Sequence, residues 1–217
     1  MMKAMEKDHP IFIESIRYIR SVLGETGLDP LQQQVLERLV HSSGDLSLGS
    51  LLRFSPLACE AGIEALYRGA PILTDTAMAA AAVAPMARRT LGSQVSTVLE
   101  WAPAEAPAGS TRTAAGMTQA WSALTSLGTA PIVLIGSAPT ALEQLLELVN
   151  GGAVLPSLVI GMPVGFIGVA ESKHHLCESG LPQIRLEGSR GGAGLVAATV
   201  NALLRSAVDP VSYTHLR

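Results

Sequence analysis

What most restricts the fold of this 217-residue chain is a repeated switch of hydrophobic period. Past Pro56, short apolar runs at residues 71–73, 131–135, 158–160 and 183–186, with a weaker one at 95–99, alternate with helically spaced stretches. Those stretches cover 57–67, 114–127, 139–149, 169–177 and 193–204. Runs this short fit strands buried on both faces, and buried strands alternating with amphipathic helices make βαβ units. The expected fold class is therefore α/β, with a mainly parallel sheet flanked by helices. There is no internal repeat, and the Pro- and Ala-rich segment 102–109 reads as an exposed loop.

A helical pair precedes this pattern. Ile13, Ile16, Ile19 and Val22 recur at steps of three and predict a helix over 11–23. Asp29-Pro30 then opens a second helix in the favoured order, a capping Asp followed by Pro at the first helical position. Val35, Leu36, Leu39 and Val40 give it an apolar face, and Ser42-Ser43-Gly44 ends it. One domain is expected over residues 1–208. Residues 209–217 lack helical periodicity and are expected to form a tail outside the fold.

Composition narrows the function classes. With 48% hydrophobic and only 15% charged residues the chain has ample material for a core, which argues against disorder. A net charge of −3 leaves no electrostatic footprint for nucleic acid. Cys59 and Cys177 are too few for a disulfide framework and are expected as buried thiols in a reducing compartment. Residues 1–10 carry Lys3, Glu6, Lys7 and Asp8 instead of the apolar run of a signal peptide. The Ala-rich stretch 77–83 is far too short to span a bilayer. The expectation is a soluble, cytoplasmic protein with no membrane or nucleic-acid partner.

Chemistry is expected where the strands end. Thr74-Asp75, Gly136-Ser137-Ala138-Pro139, Gly161 to Gly165 and Gly188 to Gly192 each follow a predicted strand. In an open parallel sheet these ends share one edge, where ligands bind. Glycines there admit close backbone approach, and helix starts offer N–H groups to anions. Read singly, each loop is equally structural punctuation, and none fits a phosphate-binding fingerprint. His41, at the end of an apolar helix beside Ser42, Ser43, Gly44 and Asp45, has two readings: a group that exchanges a proton near neutrality, or a cation favoured by the helix C-terminus. His174-His175 lacks metal-ligand spacing, and no His, Cys and carboxylate cluster suits zinc. Arg53, Arg88, Arg89, Arg112, Lys173 and Arg190 lie next to predicted loops, and an arginine fork suits carboxylates. No G-x-S-x-G elbow is present. From the residues alone the chain is an α/β enzyme with a cleft for an anionic small molecule.

Several strings, in order, resemble the precorrin-8X methylmutase family. They are His9-Pro10-Ile11 with Glu14-Ser15, Val40-His41-Ser42-Ser43-Gly44-Asp45, Arg53-Phe54-Ser55-Pro56 and Gly69-Ala70-Pro71-Ile72-Leu73-Thr74-Asp75. Thr111-Arg112-Thr113-Ala114-Ala115, IGSAPTAL from Ile135, IGMPVGFIGVAESK from Ile160 and Arg190-Gly191-Gly192 follow. The likeness runs from about His9 to about Arg205. It implies an isomerase that moves a methyl group from C11 to C12 of a corrin precursor, precorrin-8X or cobalt-precorrin-8, in cobalamin biosynthesis, with no external donor and no cofactor. His41 matches the family's catalytic histidine, a proton donor to the macrocycle. Ser15 and Arg112 match residues lining its site. On the same matching strings, Asp75, Ser137, Gly161, Gly165, Lys173, Arg190 and Gly191 are expected to bind the tetrapyrrole, with no metal ligand among them. The family also implies a homodimer. Two departures stand at the ligand edge: Ala77 where the family is polar, and Ser137 where it carries Asn. Two other classes remain open, a methyltransferase using S-adenosylmethionine and a non-catalytic tetrapyrrole carrier.

Overall fold

The computed structural model describes residues 9–126 and 128–208. The helical pair forms as its sequence directs: α1 spans Pro10–Leu23 and α2 spans Pro30–Ser43. Asp29 caps α2 by accepting the N–H groups of Leu31 and Gln32, and Gly44 ends it in the left-handed region at φ 68°. Arg20 of α1 grips Glu37 of α2 through two hydrogen bonds of 2.6 and 3.0 Å, and the buried carboxylate is thereby paired. A short helix α3 (Leu48–Leu51) then leads into β1 (Leu52–Phe54).

From there helices and strands alternate: α4 (Ala58–Tyr67), β2 (Ile72–Thr74), α5 (Ala77–Arg89), β3 (Val95–Thr97), α6 (Arg112–Thr125), β4 (Ile132–Ile135), α7 (Pro139–Asn150), β5 (Leu158–Gly161), α8 (Val169–Glu178), β6 (Gln183–Leu186) and α9 (Ala193–Val208). The six strands form one sheet in the order β1-β6-β5-β4-β2-β3. Every pairing is parallel except β1 with β6, where Leu52, Arg53 and Phe54 oppose Leu186, Arg185 and Ile184. The expected α/β class, with its mainly parallel sheet and leading helical pair, is the observed one.

Alternation along the strands sorts the core into two layers. Ile72, Ile132, Leu134, Leu158, Ile160 and Ile184 pack with α1, α2, α4, α5 and α9. Leu73, Val133, Ile135 and Val159 pack with α6, α7 and α8 on the other face. Strands covered on both sides carry no polar alternation, which is why they read as short apolar runs.

Three features differ from the sequence reading. Helix α5 occupies a stretch whose sequence shows only a short Ala-rich run; Thr76 caps it by accepting the N–H of Ala79, and Pro85 sits inside it. Strand β1 has no pattern of its own and exists because β6 offers an edge. Cys59 is buried as expected, but Cys177 is exposed, on the solvent side of α8. Among the described residues no helix is long and apolar enough to cross a membrane. Residues 209–217, expected as a tail, and Leu127, expected to close the sixth helix, lie outside the described residues.

Candidate active site at the carboxyl edge of the sheet

The sheet has a topological switch point between β2 and β4. The chain passes from β2 to β3 in one direction and returns to place β4 on the other side of β2. The helix following β2 lies on one face of the sheet and the helix following β4 on the other. Loops that part in this way open a cleft at the carboxyl ends of the strands.

Asp75 stands across that opening. It is fully buried, and its Oδ2 accepts the N–H groups of Gly136, Ser137 and Ala138 at 3.1, 2.6 and 2.8 Å. Helix α7 has no capping side chain of its own. A carboxylate from the neighbouring strand therefore fills the place an anion would take at its N-terminus. Burial pushes the Asp75 carboxyl above its ordinary range, and the three N–H donors oppose that rise. The N–H groups of this loop are thus satisfied from within, while the Ser137 side chain faces solvent.

The next two loops are sewn to this one. Val164 donates its N–H to Gly136 O at 3.2 Å, Gly165 to Ser189 O at 3.0 Å and Gly192 to Met162 O at 2.9 Å. Gly191 lies so close to the Met162 carbonyl that a Cβ there would fall 1.9 Å from its oxygen. Gly161, the last residue of β5, is buried; Leu176 of α8 fills the space its side chain would need. Gly165 has φ 141°, a conformation glycine tolerates, and beyond it Phe166 and Ile167 project at 89% exposure each. This apolar tip in the loop after β5 was not singled out from the sequence. Large side chains between two glycines in a predicted loop were the signal that could have found it.

Lys173 of α8 is 3% exposed, and its Nζ donates to Gly188 O at 2.7 Å and Arg190 O at 2.6 Å. Burial pushes its pKa down to about 8. Arg190 reaches from the same loop to the Asp45 carboxylate and the Ser47 hydroxyl. The Ser47 hydroxyl, donating at 2.6 Å, holds the Asp45 carboxyl below its usual range, and Arg190 adds to the effect.

His41 lies one turn before Asp45, exposed on the last turn of α2. Its ring meets Phe12 of α1 edge-on, with centroids 4.9 Å apart and an interplanar angle of 82°. The guanidinium carbons of Arg38 and Arg205 lie 5.2 and 5.4 Å from the Phe12 centroid, within cation–π range. Half-buried Ser15 follows Phe12 by one helical turn and shares its side of α1. Phe12, Arg38 and Arg205 escaped the sequence reading because only packing brings α1, α2 and α9 together.

Arg112 is the first residue of α6, and its Nε donates to Pro103 O at 2.9 Å. Beside it, Thr111 caps α6, and its hydroxyl lies 2.8 Å from that of Thr140 in the first turn of α7. The starts of α6 and α7 therefore meet. The expected residues form three groups: Asp75 with Ser137; Gly161, Gly165, Arg190 and Gly191 at the two following strand ends with Lys173 of α8 bonded to the second of them; and His41 against Phe12, one turn from Ser15, joined to the second group through Asp45. Arg112 flanks the first group by way of Thr140.

The family model for precorrin-8X methylmutase matches residues 10–206. The chain is similar to the cobalt-precorrin-8 methylmutase of Synechocystis sp., 36% identical over 211 residues, covering 91% of this chain and 95% of that one. It is equally similar, 36% over 208 residues, to the precorrin-8X methylmutase of Pseudomonas aeruginosa, covering 94% and 98%. Among solved structures, the precorrin-8X methyl mutase from Thermus thermophilus superposes with a TM-score of 0.82 at 39% identity, covering 92% of this chain and 96% of that one. A match of sequence and structure over almost the whole fold leaves one assignment: the chain belongs to the precorrin-8X methylmutase family.

Proposed function

We propose that this protein is an isomerase of cobalamin biosynthesis that moves a methyl group from C11 to C12 of precorrin-8X or of its cobalt-containing counterpart. The observation that carries this reading is the family match over residues 10–206, which takes in His41, Arg112 and the interlocked strand-end loops. The reaction conserves atoms and electrons: the C11–methyl bond breaks, a C12–methyl bond forms, and no donor or oxidant takes part. The protein has to hold a large flat polycarboxylate in the reactive shape and place one proton, and positioning of that kind is a major source of rate.

His41 is the proposed proton donor. It protonates or hydrogen-bonds a nitrogen of the ring receiving the methyl and so favours the tautomer in which migration proceeds, a role worth about 10²–10⁴-fold. Its place on the last turn of α2, edge-on to Phe12, supports this role. Arg112 is the proposed partner of a peripheral carboxylate, since its bond to Pro103 O uses one of five N–H donors. Ser15 orients the ligand or His41. The exposed Phe166-Ile167 tip suits the apolar face of a macrocycle, and Ser137 reaches its rim. A homodimer in the cytoplasm is part of the same reading, supported by the exposed Ile11, Tyr18 and Val22 along one side of α1.

The test is conversion without a methyl donor. Purified protein is incubated with metal-free and with cobalt-loaded substrate, and the absorption change of the migrating chromophore is followed. Turnover that requires added S-adenosylmethionine, or binding with an unchanged chromophore, would remove the methylmutase reading. Which substrate turns over faster fixes whether cobalt is already present.

A further inference from the structure

One group near the site is costly in a way that neither the reaction nor the substrate explains. A lysine ammonium is almost never buried unless something compensates it. Lys173 is buried to 3% exposure, and both of its hydrogen bonds go to main-chain carbonyls of one loop, Gly188 O and Arg190 O. Among the described residues no carboxylate partners it; its lowered pKa has burial as its cause. An ammonium between two carbonyls draws them together, and here they belong to residues two apart, so the loop after β6 is pinched at its middle. The residue whose carbonyl is held, Arg190, then sends its guanidinium to Asp45 and Ser47. Those two residues form the turn leaving α2; Asp45 also receives the Ser47 hydroxyl and N–H at 2.6 and 3.0 Å. On its other flank the loop is tied to the loop after β5 by Gly165 N–H to Ser189 O and Gly192 N–H to Met162 O.

We infer that Lys173 is a positioning residue: its buried ammonium fixes the loop after β6 so that Arg190 holds the end of α2, and with it His41, against the strand-end loops. The inference rests on the reading of His41 given above. Through this chain of contacts a lysine in the middle of α8 acts on a histidine two layers away, and does so in place of the direct substrate contact expected of it from the sequence. A loss of Lys173 therefore misplaces the proton donor while leaving the ligand's own contacts in being.

The experiment is a kinetic cycle on the full-length protein with metal-free substrate, kcat and KM measured separately at a temperature where every variant is folded. Lys173→Met keeps length and bulk without charge or donors; Arg190→Gln cuts the link to Asp45. For either variant kcat should fall roughly ten- to a hundred-fold, the effect of a small misplacement, while KM moves by less than about threefold. The double variant should lose no more than the worse single one, because both cut the same chain. A rise in KM at unchanged kcat would mean that Lys173 meets the substrate, and wild-type kcat in folded Lys173→Met would mean that it only stabilises the fold; either overturns the inference. If Lys173→Met does not fold, the surface variants Arg190→Gln and Asp45→Asn decide: reduced kcat in both supports the chain of contacts, wild-type kcat in both sinks it. His41→Ala is run alongside. Full turnover there defeats the reading of His41, whereas an inactive His41→Ala beside normal Lys173→Met and Arg190→Gln defeats this inference alone.

Discussion

At the scale of single residues, the proposed chemistry divides between groups assigned to the ligand and groups that hold those groups in place. His41→Ala removes the proposed acid without emptying a core position, since the ring is exposed. Ligand binding should survive and turnover should fall by about 10²–10⁴-fold, measured by single-turnover absorption change against equilibrium titration. For Arg112, losing a charge-assisted hydrogen bond costs about 1.5–3 kcal/mol, so Arg112→Ala should weaken substrate affinity roughly ten- to a hundred-fold. Arg112→Lys should recover part of that loss, keeping the charge without the fork; wild-type affinity in both variants would rule the contact out. Lys173 leaves a signature in stability. Its folded pKa, about 8, lies below the ordinary 10.5, so between those values the unfolded chain binds more protons than the folded one. Stability should therefore rise with pH across that interval, as the cost of burying the charge is relieved. At roughly 1.4 kcal/mol per pKa unit the full effect is at most about 3.5 kcal/mol. Urea midpoints at pH 7.5 and pH 9.5 should show the rise in the wild type and a smaller one in Lys173→Met.

At the scale of elements, two glycines in neighbouring positions make opposite predictions. A Cβ on Gly191 would strike the Met162 carbonyl, a backbone group that cannot step aside alone. Gly191→Ala should cost about 1–3 kcal/mol as an overpacked contact and lower Tm by on the order of 2–4 °C for each kcal/mol in a chain of this size. Gly194, in the first turn of α9, has nothing within 4 Å of its would-be Cβ. Gly194→Ala should therefore stabilise by about 0.5–1 kcal/mol through helix propensity. Thermal melts of the two variants check both, and equal shifts would contradict the packing described. The elements also show why some were legible and others not. The runs at Ile132–Ile135 and Leu158–Gly161 announced themselves because a doubly covered strand must be apolar throughout. Helix α5 hid because Pro85 interrupts its pattern, although Thr76 before it and Arg88-Arg89 at its end are ordinary boundary signals. Strand β1 could not be seen at all: three residues without periodicity become a strand only when β6 lies beside them.

For the whole molecule, the order of elements in sequence was enough to expect one carboxyl edge carrying all four strand-end loops. What sequence could not supply was direction within that edge. Asp75 and Lys173 stand in conspicuous strings, yet nothing in those strings tells that one side chain turns inward to three N–H groups and the other to two carbonyls. Pairing across a fold is a property of three-dimensional closure. The arrangement of Phe12, His41, Arg38 and Arg205 is legible only there, because it joins α1, α2 and α9 from opposite ends of the chain. The proposed homodimer belongs to this scale too: light scattering on the purified protein should give twice the 22.6 kDa chain mass, and Tyr18→Asp on the exposed side of α1 should halve it.

The way Asp75 holds residues 136–138 reaches beyond stability. Because the backbone N–H of Ser137 is committed to that carboxylate while its side chain is outside, position 137 works like a tool socket: the holder is locked and the bit can be exchanged. The serine that stands where the resemblance leads one to expect asparagine is then a change of bit, and the loop has no reason to register it. Ser137→Asn should leave the unfolding midpoint where it was and alter only how the protein ranks closely related macrocycles. Substrate preference in this family could drift at that position without the scaffold having to evolve alongside it.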